Sequence, residues 1–98
     1  MANKRKPFNA TLTLTTADTE YSYQIPEGTV SFQLKSRGNR RIKCAFVAGD
    51  IALLEYFSVG EGAQYSEENL YLEGVARVSI YAQCAVAGEV LEICGWKQ

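Results

Sequence analysis

The chain has no histidine. That removes the usual general base near neutral pH, the commonest metal ligand and any Ser-His-Asp arrangement. Cysteine is scarce: Cys44, Cys84 and Cys94 form no CxxC pair and lie in apolar, strand-like stretches. Reduced, buried thiols are therefore expected, rather than a zinc site or a disulfide framework. The one adjacent carboxylate pair is Glu67-Glu68, and sequence neighbours rarely face each other across a sugar as a glycosidase requires. Gly60 and Gly62 follow an apolar stretch, but no Lys-Ser/Thr and no helical pattern completes a phosphate loop. No apolar run approaches the ~20 residues of a membrane helix. The opening MANKRKPFNA is basic without the apolar segment of a secretory signal, so cytoplasmic synthesis is the expectation. Together these absences read as a non-enzymatic chain with no metal, cofactor, small-molecule substrate or membrane partner.

What is present is alternation. In FNATLTLTT, Phe8, Ala10, Leu12 and Leu14 fall on one side and threonines on the other, the period-2 pattern of a half-buried strand. EYSYQI, residues 20–25, places Tyr21, Tyr23 and Ile25 inward, and Pro26-Glu27-Gly28 closes it, with proline predicted at the first central turn position. Residues 51–59, IALLEYFSV, read as another strand because Gly49-Asp50 precede and Gly60 follows. Residues 60–70 read as a loop, with Ser66 placed to cap one helical turn ahead of Glu67 and Glu68. A short edge strand is expected at 70–72 and a clear one at 75–84. EVLEICGW, residues 89–96, is apolar on both sides, as in a central or covered strand. Six to eight short strands, with turn signals between them, predict one antiparallel β-sandwich domain, jelly-roll-like, over residues 8–98. Residues 1–7 form a basic, flexible arm ahead of it.

The stretch TVSFQLKSRGNRRIKCAFV, residues 29–47, reads as the organising hairpin. Val30, Phe32 and Leu34 alternate on the way in and Ile42, Cys44 and Phe46 on the way out, around Gly38-Asn39. A two-residue loop would put the two apolar sets on opposite sides. A three-residue connection with Gly or Asn in the left-handed position unites them, and is preferred. Lys35, Arg37, Arg41 and Lys43 would then form a cationic ladder on the other face. Charge is also uneven along the chain. Residues 1–48 hold eight cations against three acids, and residues 49–98 two against eight. Either the strands interleave and the asymmetry averages out in space, or the molecule is two-signed and stacks on copies of itself. The ladder with Tyr21, Tyr23 and Trp96 would suit single-stranded nucleic acid, but the isoelectric point near 5.4 is far from that of a typical binder. A sugar-binding sandwich is the other alternative, stacking on Tyr65, Tyr71, Tyr81 and Trp96.

The order of Tyr23, Pro26-Glu27-Gly28, Phe32, Arg37, Arg41 and Phe46, followed by GAQYSEENL at 62–70, AGEVLE at 87–92 and Trp96, resembles small accessory virion proteins of tailed bacteriophages and prophages. The resemblance spans about residues 21–96. It implies a β-sandwich that decorates or adapts an assembled capsid, connector or fibre, assembles in the host bacterial cytoplasm and performs no reaction. Its partners would be further copies of itself and other virion proteins. Under it Lys4, Arg5 and Lys6 of the arm, with Lys35, Arg37, Arg41 and Lys43, would contact acidic surface. That surface would be on the shell or on a neighbouring copy's Glu61, Glu67, Glu68 and Glu73. Three cysteines are not a requirement of that group.

Overall fold

A computed structural model describes residues 6–68 and 78–97. Eight strands follow in order among the described residues: β1 Lys6–Leu14, β2 Tyr21–Gln24, β3 Thr29–Ser36 and β4 Ile42–Ala45, then β5 Phe57–Val59, β6 Tyr65–Glu67, β7 Ser79–Gln83 and β8 Glu89–Lys97. They form two four-stranded antiparallel sheets, ordered β1-β8-β3-β6 and β2-β7-β4-β5. The pairs β1/β8, β2/β7, β3/β6 and β4/β5 are nested, as if one long double ribbon had been rolled up, with β3/β8 and β4/β7 sealing the roll. This is a jelly-roll sandwich, the fold class the strand spacing predicted. The roll interleaves strands from the two halves of the chain in each sheet.

Alternation fills the core. Leu14, Phe32, Leu34, Leu91 and Ile93 come from one sheet and meet Ile25, Ile42, Cys44, Ile80 and Ala82 of the other, all buried. Phe8, Ala10 and Leu12 pack behind Leu14, and Tyr21 and Tyr23 pack from β2, as their spacing predicted. β8, apolar on both sides, is central to its sheet. At ~25 cal/mol per Å2 each fully buried leucine or isoleucine contributes about 2 kcal/mol.

The organising hairpin is not formed. β3 and β4 lie in different sheets and do not pair, so residues 37–41 are an arch across the sandwich. The preferred grouping of Phe32 and Leu34 with Ile42 and Cys44 is real, but they face each other across the core instead of sharing a ribbon face. Asn39 does hold the left-handed position, with φ of 59°. Phe46 lies beyond β4 and is exposed. Residues 51–54 make a tight turn, closed by amides of Leu53 and Glu55 on the Asp50 carbonyl and of Leu54 on that of Ile51, so only Phe57–Val59 is strand. Residues 65–67 pair with β3 and are not a capped helical turn. At Pro26 the Thr29 amide donates to the Pro26 carbonyl, so Glu27, not proline, is the first central residue, and Gly28, with φ of 84°, is the second. Cys44 and Cys84 are buried, but Cys94 is exposed. The strand expected at 70–72, the first part of that at 75–84, and Lys4, Arg5, Tyr71 and Glu73 lie outside the described residues.

Candidate functional site

The cationic ladder dissolves with the hairpin. Lys35 projects from the outer side of β3 and Lys43 from the outer side of β4, on opposite faces of the sandwich. The arginines between them are held by this chain's own acids. Arg37 Nε donates to Glu92 Oε2 at 2.8 Å, an Arg41 terminal nitrogen lies 2.9 Å from Glu61 Oε1, and Arg40 Nε is 3.6 Å from Glu89. Glu61, expected to receive a neighbouring copy's cations, is thus paired within the chain. The arch is pinned further where the Gly62 amide donates to Asn39 Oδ1 and the Glu61 amide to the Asn39 carbonyl. Lys43 stands 5.2 Å from the centre of the Tyr56 ring, a cation–π contact. Lys6 is exposed opposite Lys97, while Glu67 is half-buried at the end of β6 and Glu68 exposed just beyond it.

Aromatic side chains divide likewise. Phe57 of β5 and Tyr65 of β6 have ring centres 4.8 Å apart, with Phe46 at 5.4 and 5.7 Å and Phe32 at 6.0 Å from Tyr65. These rings close the side of the sandwich where the edge strands β5 and β6 meet. Burial, then the charge and hydrogen bonding of Glu67, pushes the Tyr65 hydroxyl pKa upward, and burial does so for Tyr23. Tyr21 and Tyr23 pack against the core from β2, and Trp96 lies on the other sheet, so the three share no stacking face. Tyr65, Tyr81 and Trp96 do not share one platform either.

Two surfaces remain. The first is the loop of residues 46–56 between β4 and β5. Leu53 and Leu54 are 72% and 78% exposed at its tip, flanked by exposed Phe46, Val47 and Tyr56. Leu54 has φ of 65°, a left-handed conformation that costs a non-glycine residue about 1 kcal/mol, with no burial in return. Glu20 reaches in to accept the Gly49 amide, and with Asp50 and Glu55 it gives the loop an acidic rim. The sequence signal was IALLEYF, read as a strand because nothing local distinguishes an inward leucine from an outward one.

The second surface is the outer face of the β1-β8-β3-β6 sheet. Register brings Asn9, Cys94, Gln33 and Ser66 into one row across it, with Pro7, Trp96 and Ser31 in the row on one side and Thr11, Glu92 and Lys35 in the row on the other. Two adjoining hollows of about 490 and 590 Å3 lie over these rows and share Asn9, Gln33 and Cys94. Beneath them β8 lies tight against β3: an added Cβ at Gly95 would sit 2.1 Å from the Ser31 carbonyl oxygen. Apart from Trp96 and Lys35, none of these residues was singled out from the sequence as ligand-facing, because the pairing that unites them joins positions up to ninety residues apart.

No family model and no curated protein matches the chain. Among solved structures, the chain is similar to a de novo designed double-stranded β-helix determined in solution by NMR. The TM-score is 0.52 at 13% identity, with 94% of this chain and 99% of that one covered. At that identity the likeness concerns the fold, which is the rolled two-sheet architecture described above.

Proposed function

We propose that the chain is a non-enzymatic structural protein that assembles with copies of itself and docks on an assembled protein surface, as expected of phage and prophage virion accessory proteins. The observation that carries this reading is the loop of residues 46–56. Two leucines at its tip are held out in water, one of them in a backbone conformation that glycine would adopt at lower cost. Exposed apolar groups that neither fill the core nor relax the backbone are characteristic of contact surfaces. The acidic rim of Glu20, Asp50 and Glu55 selects an apolar cleft bordered by cations on the receiving protein. This replaces the cationic ladder as the contact surface, since its arginines are already paired within the chain.

The test is a Leu53→Asp, Leu54→Gly double variant, followed by native mass measurement and by co-sedimentation with particles from the producing cell. Association should fall by about a hundredfold or more, a hot-spot-sized loss, with thermal unfolding no lower than that of the parent. Unchanged self-association and particle binding together would overturn the reading.

A further inference from the structure

Beyond docking, we infer that the outer face of the β1-β8-β3-β6 sheet is a binding groove for a neutral, linear oligosaccharide. The groove follows β8, whose outward side chains Glu92, Cys94 and Trp96 lie along its length. From the Trp96 row to the Glu92 row is four residues, about 13 Å at ~3.3 Å per residue. The two hollows extend it toward Arg37, and each falls in the ~300–1,000 Å3 range of small-ligand clefts. It is therefore long enough for a short run of linked rings.

Its chemistry matches a polyhydroxylated chain. Trp96 is 48% exposed at one end and offers an aromatic face to the C–H side of a sugar ring. Asn9 and Gln33 flank Cys94 with side-chain amides, each able to donate and accept, and Ser66 and Thr11 add hydroxyls. At the far end the Arg37–Glu92 pair presents fixed donors and acceptors with no net charge between them. Lys35 near that pair is outweighed by Glu67 and Glu68 at the Trp96 end, two cations against three acids in all, so no field favours an anionic ligand.

Two other occupants fit less well. An extended peptide binds a sheet through a free edge, but β8 is hydrogen-bonded on both sides, so the floor offers a peptide no backbone pairing. A nucleic-acid strand needs a run of unpaired cations beneath its phosphates. Here one arginine is committed to a carboxylate and one lysine remains.

The groove carries two built-in reporters. Trp96 is the one tryptophan of the chain. Cys94 is the exposed thiol, while Cys44 and Cys84 are buried, so alkylation of the native protein reads groove occupancy. The full chain would be titrated with linear oligosaccharides of glucose, N-acetylglucosamine, mannose and galactose, following Trp96 emission and the rate of Cys94 alkylation by N-ethylmaleimide. At least one series should shift the emission and slow alkylation by about tenfold at saturation. Gln33→Ala and Trp96→Ala should each weaken binding by about tenfold, read from Cys94 protection, with thermal unfolding unchanged. The Leu53→Asp, Leu54→Gly variant should bind as the parent does, which separates this proposal from the docking reading. Absence of protection by every series would overturn it. So would equal protection in the Trp96→Ala protein, or protection by an extended peptide or single-stranded DNA in place of sugar.

Discussion

Two connections leave the ends of β4, and they handle their awkward residues in opposite ways. The arch at residues 37–41 carries three arginines, and each is paired with a glutamate that the roll brings close. The loop at residues 46–56 carries leucines that the roll leaves in water. Charge clustered in a sequence is thus a poor guide to a contact surface, because a long flexible side chain readily finds a counter-ion within its own fold. A short apolar side chain on a tight turn cannot swing round to the core. The loop that reads as another strand in the sequence is the proposed contact, and the two arginines of the ladder are paired within the chain.

The largest effect expected from breaking this contrast is on β4 itself, the strand between the two connections. Burial pushes the Cys44 thiol from its ordinary 9.0 up to about 12. The folded state therefore holds its proton more tightly than the unfolded state does. The resulting stability is fully present below pH 9 and is lost as pH rises toward 12, on the order of 4 kcal/mol. Denaturant titrations at stepped alkaline pH should show that slope, and a Cys44→Val variant should flatten it.

The arch should prove rigid next. At Gly60, with φ of 101°, an added Cβ would lie 2.1 Å from the Arg40 carbonyl oxygen, so Gly60→Ala should cost about 3 kcal/mol in chemical denaturation. Where β3 enters the arch, the buried Ser36 hydroxyl has no hydrogen-bonding partner among the described residues. Ser36→Ala should therefore raise stability by about 1 kcal/mol, seen as a higher melting temperature. The smallest effect belongs to the charges. Arg41 and Glu61 are both more than half exposed, so Arg41→Gln should change unfolding free energy by about 0.5 kcal/mol or less and leave particle binding intact. Greater sensitivity of assembly to Arg41 than to Leu53 would reverse the contrast between the two connections.

Much of the fold was legible in the chain. Alternation at Phe8, Ala10, Leu12 and Leu14 marked both the strand and its inner side, and the apolarity of residues 89–96 marked a central strand. Turn chemistry marks Gly28 for a positive φ and Gly38 or Asn39 for the left-handed position, and Gly28 and Asn39 are found there. What misled was the assumption that neighbouring strands pair. Among the described strands of this rolled ribbon, β4 and β5 are the one pair that is adjacent in sequence, and every other partner is remote. Of the groove, the sequence marks Trp96 as a stacking residue and Lys35, Arg37, Glu67 and Glu68 as contact residues. Asn9, Gln33 and Cys94 are unremarkable until β1, β8 and β3 are laid side by side.

The amino-acid sequence by itself determined which residues turn inward along each strand, because a period of two is a local property that needs no partner. It also determined the absence of histidine chemistry. Only the tertiary structure decided which strands lie together, and hence which arginine meets which glutamate, which leucines stay in water and which amides share a groove. Pairing is chosen by the burial of the whole roll at once, and no short stretch of chain carries that information.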